Sequence, residues 1–450
     1  MKKLLIALPL VVGGSWAGAS YFTGTQTQDA YDHLLAQMNE SGLVVLVNER
    51  YDAGVVNSSA VTHVMDSSAA DASVLFRLQH AINHSPIGVN EGVMRVGAAT
   101  ITTTLLHDEA IPESLREFLQ GFNDLDPVKI DTAVKFDGSM VHQLLVNAYE
   151  YQYEDVDVRY DGIEYTLEND GEKMTGVGTT GVLVISSEDT VMRLSPGEIS
   201  NELTLEGDSI VSGGYSVLFD KLTVTGPRVP VSLALKSIDM ASTVNILDGK
   251  VDFDTRYSIG NIDSPLPLNS ASIDTRVWGV SLSGLERYVE VASQMAVSDL
   301  SPDELALKLS AVIEAATGII GPGTGLSYEL ELGNDGGKGN LLARGMVVEE
   351  TSPNYPVAGL ASVVTLRDAL TALQFEIILD TDSAAIDQSP LGMFMGMPAA
   401  QQFIVAEGGK YKSDITVQDL VVDINGNPMS LEMMLGKALD MPLATLMDSI

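Results

Sequence analysis

Polar and apolar residues alternate along much of the middle of the chain. Asp155-Val156-Asp157-Val158-Arg159-Tyr160 is the clearest run, and Gly162-Ile163-Glu164-Tyr165-Thr166-Leu167-Glu168 continues it. Similar runs follow at Val182–Ile185, Glu202–Leu205, Tyr215–Val224, Val231–Met240 and Lys250–Ile259. Their connectors are rich in Gly, Asn and Asp, such as Asn169-Asp170-Gly171 and Asp248-Gly249. Period-two alternation predicts strands with one wet and one apolar face, and such connectors predict hairpins. A sheet of about seven strands twists and, with nothing else to cover it, curls over its own apolar face.

The flanking regions add both element types. Leu43–Val47, Val55–Met65, the Val74/Phe76/Leu78 alternation and Ala98–Leu106 predict further long antiparallel strands. Leu326–Leu332, Gly339–Glu349, Val363–Asp380 and Asp419–Asp423 predict strands in the last third, with a two-residue turn at Asn425-Gly426. Helical spacing appears in Gln28–Ser41 through Tyr31, Leu34, Leu35 and Met38, and again in Ile111–Gly121 and Ser281–Ala296. Ser301-Pro302-Asp303-Glu304 starts another helix, which runs to Gly318, and Ser389–Glu407 reads as helical. The expected fold is mainly β with helices (α+β): long antiparallel, twisted and curled β-meander sheets with short amphipathic helices packed on the apolar face. The division expected is a segment 1–24, a β-rich half 25–260 and an α+β half 261–450, with a soft boundary at Asn261–Ser270.

The first segment changes the compartment. Lys2 and Lys3 precede Leu4–Phe22, which carries no charge, and a helix needs about 20 apolar residues to cross a bilayer. The lysines hold the N-terminus inside and Asp29 and Asp32 follow the segment outward. Residues 1–24 are thus expected to export the chain and tether it to the inner membrane, facing the periplasm. The alternative is cleavage after Ala17-Gly18-Ala19, which would leave Ser20 as the mature N-terminus.

Composition then removes function classes. The 61 acids against 25 bases give a net charge of −36, which repels nucleic acid and anionic head groups. Zero cysteines exclude disulfides and thiolate chemistry.

Candidate chemistry is sparse. The six histidines (His33, His63, His80, His84, His107 and His142) lie in the first third, and His80 and His84 have the i, i+4 spacing of a helical zinc pair. No metalloprotease glutamate accompanies them, and the flanking alternation with Pro86 favours strand and turn. Asp157, Asp161, Gly162 and Glu168 fit four positions of a calcium loop, but Arg159 would repel the ion. Gly321-Pro322-Gly323-Thr324-Gly325 follows a helix and lacks the lysine of a phosphate loop. Met393, Met395 and Met397 could offer thioethers to Cu(I), though with Phe394 they read as apolar packing. No catalytic, cofactor-binding or metal residue is therefore assigned, and no cofactor is expected.

Several short signatures resemble the YdgA-like family of bacterial envelope proteins. They are Tyr21-Phe22-Thr23-Gly24, the stretch Tyr51-Asp52-Ala53-Gly54 to Ser58-Ser59-Ala60, and His84-Ser85-Pro86 where that family has His-Gly-Pro. Gly409-Lys410-Tyr411 and Ile424-Asn425-Gly426-Asn427 resemble its closing hairpin. The resemblance implies a domain of unknown function, anchored in the inner membrane and facing the periplasm, and supplies no catalytic residues. The expected function is binding of lipid, an envelope protein or a second copy through an apolar groove, without turnover. The alternative is a periplasmic hydrolase working through carboxylates.

Overall fold

The computed structural model describes residues 45–443 apart from interruptions, the longest being 66–73, 107–112, 296–310, 353–362 and 388–394; of residues 1–44 it describes Leu35 and Asn39. The predicted anchor segment 1–24 lies outside the described residues, as does most of the helix expected from Ser301. The chain forms two compact units, one mainly residues 1–220 and the other mainly 230–291 with 306–450. The segment Asn261–Ser270 lies inside the second unit, where it joins two paired strands.

The first unit starts with β1 (Val45–Asp52), β2 (Asn57–Met65) and β3 (Val74–Asn83), then a separate hairpin of β4 (Ile87–Asn90) and β5 (Val93–Val96). β6 (Ala99–Leu105), β7 (Val128–Val134) and β8 (Met140–Val146) follow. The ladder β1-β2-β3-β6-β7-β8 is antiparallel throughout. Period-two alternation sends Val64, Phe76, Leu78, Ile82, Ile101, Ile130 and Met140 to one face, where they form a single buried core joined by Leu35 and Leu46. Helix α1 (Glu113–Gln120) adds a smaller cluster of Leu119 and Phe122 against Tyr149.

Next come β9 (Tyr149–Tyr153), β10 (Val156–Tyr160), β11 (Ile163–Asn169), β12 (Lys173–Thr180), β13 (Leu183–Ser187), β14 (Thr190–Leu194), β15 (Gly197–Glu206) and β16 (Ser209–Thr225). These are long strands, four of them interrupted at one level. Ile163 pairs with Val146 and Thr180, and Tyr160 pairs with Tyr149 and Leu183. Thr180 pairs with Gly197, and Leu183 with Leu194. Asn147-Ala148, Asp161-Gly162, Gly181-Val182 and Ser195-Pro196 therefore step out of the ladder side by side. Gly162 has φ +98°, and a Cβ there would sit 2.3 Å from the Val146 carbonyl oxygen, so the seam requires glycine at this point. The Asp161 N–H donates to the Val182 carbonyl at 3.0 Å and the Gly181 N–H to the Gly162 carbonyl at 2.7 Å, which keeps the interruption bonded.

The second unit holds β17 (Leu233–Leu247), β18 (Lys250–Asp263), β19 (Ser270–Ser281), β20 (Gly325–Asn334), β21 (Gly337–Val347) and β22 (Leu373–Asp382). β23 (Val405–Glu407), β24 (Lys410–Gln418), β25 (Val421–Ile424) and β26 (Asn427–Ser430) complete it. The ladder β17-β18-β19-β20-β21-β22-β24 is antiparallel in the stated order.

The α+β expectation is overturned. The described residues make 26 strands, and the described α-helices run only from five to fourteen residues. The longest, α2 (Leu282–Met295), was expected to cover the apolar face through Leu285, Tyr288 and Val289, yet Val289 is 54% exposed and no residue of α2 whose burial is described is buried. Helical periodicity showed that α2 would form but not what it would pack against. The protein is mainly β, with few and short helices. Two more readings give way in the same region. Val363–Asp380 splits into α3 (Leu366–Ala372) and β22, because Thr365 and Asp368 form a capping box. Ser389–Glu407, expected to be helical and broken near Pro398, is so only in part among the described residues: Met395 is helical and Ala400–Gln402 forms a 3₁₀ turn, but Val405–Glu407 is the strand β23.

Candidate functional site: an open apolar face

Strand register in the second unit lines up side chains in rows across the sheet. One row is Met240, Tyr257, Ile273, Leu330, Leu341 and Leu379; another is Val244, Phe253, Val277, Leu326, Phe375 and Val417. Both belong to one face, since they lie four residues apart on each strand. The alternate residues of each strand point the other way, and the arginines among them are paired. Arg276 Nε lies 3.5 Å from Asp254, Arg256 Nε 3.7 Å from Asp274, and Arg344 Nη1 3.4 Å from Glu376. These exposed pairs each contribute little stability but keep that face wet.

The apolar face is open. Leu326 is 50% exposed, Tyr257 46% and Ile377 43%, and Tyr328, Leu341 and Phe375 are comparably accessible. Side chains flanked by strands on both sides lose surface to their neighbours, so such exposure means that nothing among the described residues lies over them. The buried apolar residues of this unit, including Val251, Val280, Val347 and Leu439, lie at strand ends and in connections rather than on this face. A contiguous exposed apolar surface on a folded protein marks an interaction site.

The polar groups that sequence singled out sit in the first unit. His80 and His84 lie at the end of a strand, not on a helix, so four residues at about 3.3 Å each set them roughly 13 Å apart. That separation rules out a shared ion, and among the described residues no three His, Asp or Glu converge as metal ligands. His80 instead bridges strands, with Nε2 2.9 Å from Thr62 Oγ1 and Nδ1 2.9 Å from Thr103 Oγ1. His142 Nδ1 lies 2.9 Å from Thr132 Oγ1 in the core. Burial pushes both imidazoles down to about 4, so both are neutral in the fold. His63 joins Glu49 and Arg77 on the opposite, outer face. His33 and His107 lie outside the described residues.

A family model for bacterial proteins of unknown function, DUF945, matches residues 1–432. The chain belongs to that family. No curated protein matches it. In this DUF945 chain two of the short signatures meet in space, an encounter that sequence spacing could not show. His84 Nε2 lies 2.9 Å from Ser58 Oγ, which also accepts the Gly54 N–H at 3.1 Å and lies 3.4 Å from the Gly54 carbonyl oxygen. The contact with His84 is the shorter one, and the imidazole tautomer sets which of the two atoms donates in it. The pair clasps the β1–β2 turn to the end of β3. It is not a nucleophile with its base, because the serine is 6% exposed and His84 Nδ1 meets no carboxylate.

The remaining candidates resolve into structure. Asp157 lies on β10 and Glu168 on β11, on either side of the seam, so they form no ion loop. Gly321–Gly325 is a connector in which Thr324 Oγ1 accepts the Gly321 N–H at 3.0 Å and donates to the Gly279 carbonyl at 2.8 Å. Met393 lies outside the described residues, while Met395 is half-buried and Met397 exposed. Among the described residues no helix is long and apolar enough to cross a membrane.

Proposed function

We propose that this DUF945 protein is a YdgA-like envelope protein, exported and tethered at the periplasmic face of the inner membrane by residues 1–24. It binds an apolar ligand, without turnover, through the open face of β17–β22 and β24. The observation that carries this reading is the exposure of Leu326, Tyr257, Leu341 and Ile377 on a face opposite paired charges. The export half rests on Lys2-Lys3 followed by the uncharged Leu4–Phe22. Against turnover stands the Ser58–His84 pair, whose serine is 6% exposed and whose His84 Nδ1 meets no carboxylate among the described residues.

The test uses the full chain extracted in mild detergent and analysed by native mass spectrometry. Wild type is expected to carry a bound apolar molecule, and Leu341→Asp with Ile377→Asp to release it while circular dichroism stays unchanged. A folded double variant that retains the molecule overturns the reading. Carbonate washing checks the tether: the protein stays with the membrane if residues 1–24 are retained, and leaves it if Ser20 is the mature N-terminus.

A further inference from the structure

The apolar face has one polar feature. Between the rows of Met240 and Val244 runs a row in which four adjacent strands present hydroxyls: Ser242, Thr255, Thr275 and Tyr328. Ser242 Oγ and Thr255 Oγ1 share a hydrogen bond at 3.1 Å. The hydroxyls of Thr275 and Tyr328 meet no hydrogen-bond partner among the described residues, and Tyr328 is 45% exposed. On the next two strands the row turns aliphatic, with Ala343 and Ile377. A hydroxyl exposed to water loses a hydrogen bond when hydrocarbon covers it, unless the covering molecule brings an acceptor. A pure hydrocarbon or a featureless apolar partner would leave both hydroxyls orphaned.

Charge narrows the occupant further. The four rows from Ile238 to Val244 contain no charged residue on any of the seven strands. The arginines of this sheet, Arg256, Arg276 and Arg344, are on the other face in ion pairs. Lys236, two residues before Ile238 on β17, lies outside these rows, and the net charge of −36 repels a phosphate at long range. Resting on the reading of this face as an apolar binding surface, we infer that its occupant is an uncharged acyl ester, an acylglycerol. Its ester carbonyl accepts from the Tyr328 and Thr275 hydroxyls, and its chain lies over Met240, Ile273, Leu330 and Leu341.

Three fluorescent probes with one acyl chain in common separate the outcomes on the full-length protein: a monoacylglycerol, a phosphatidylglycerol and the corresponding alkane. Wild type is expected to bind the monoacylglycerol about tenfold tighter than either of the others, the order expected for one or two hydrogen bonds. Tyr328→Phe with Thr275→Val should remove that preference and leave alkane binding unchanged, with circular dichroism confirming the fold. Equal binding of all three probes, tighter binding of the anionic lipid, or a double variant with its preference intact overturns the ester inference while the apolar surface stands. Failure of wild type to bind any probe, with Leu341→Asp indistinguishable from it, removes the apolar surface as well.

Discussion

The β1–β8 ladder of the first unit and the β17–β24 ladder of the second are built from the same kind of strand and end with their apolar faces in opposite conditions. In the first, Val64, Ile130 and Val134 are at most 4% exposed, and Leu35 from the segment before β1 packs among them. In the second, the corresponding face of β18 to β22 keeps Tyr257, Leu326 and Ile377 more than two-fifths exposed. Alternation alone cannot tell the two apart, because it fixes which side chains share a face and not what lies over that face. Hydrophobic burial stabilises only where water is removed. The first face therefore contributes to folding, and the second leaves its apolar surface in water.

The contrast breaks first under charge. Ile130→Asp buries an unpaired carboxylate at a site 1% exposed and is expected to cost more than about 4 kcal/mol, enough to unfold the first unit. Leu341→Asp, on the open face, should cost less than about 1 kcal/mol, so denaturant titration of the two variants gives the comparison directly. Equal losses would show that the second face is covered.

Acid provides the next largest effect. His80 and His142 titrate near 4 in the fold and at 6.5 when unfolded. The unfolded chain therefore takes up protons first as pH falls, and stability present above about pH 6.5 is lost between 6.5 and 4. At about 1.4 kcal/mol per unit this amounts to roughly 3 kcal/mol for each histidine. Melting temperatures of the first unit should fall across that window, and His142→Gln should flatten the slope; an unchanged slope would sink this account. The second unit has no described histidine and should respond less.

Smaller effects sharpen the local reading. Ser58→Ala opens the clasp on Gly54 and His84 and is expected to cost about 1 kcal/mol, seen as faster amide exchange at the β1–β2 turn. Thr365→Ala removes the cap of α3, again about 1 kcal/mol, with faster exchange confined to Leu366–Ala372.

Local patterns were legible to different degrees. Asp155–Glu168 reads as alternation and forms β10 and β11, yet Asp161-Gly162 looks from sequence like a turn inside one strand or part of an ion loop. Its role depends on neighbours some 15 and 20 residues away. The capping box at Thr365 and Asp368 starts a helix where the sequence reads as strand, because the apolar run of Val363 and Leu366 with Leu370 and Leu373 suits either element. The apolar side of Lys250–Ile259 is plain in the sequence. That α2 leaves it bare is not, because Val289 carries the same helical periodicity whether it faces a sheet or solvent. The meeting of Ser58 with His84 depends on β2 and β3 pairing Asn57 with Asn83, a register set by tertiary packing.

The seam across four strands constrains how this chain can change length. On β10 the odd-numbered Asp157 and Arg159 are exposed, whereas on β11 the even-numbered Glu164 and Glu168 are. On β14 the odd Val191 and Arg193 are exposed, and on β15 the even Glu198, Ser200 and Glu202. The alternation thus changes phase at the seam, and neighbouring strands change phase together. A residue deleted at the tip of the β11–β12 hairpin shortens a turn. A residue deleted at Gly162 alone would turn half a strand inside out while its neighbours kept their sides. The four two-residue steps therefore form one structural block, in which insertions and deletions are expected to be tolerated together or not at all.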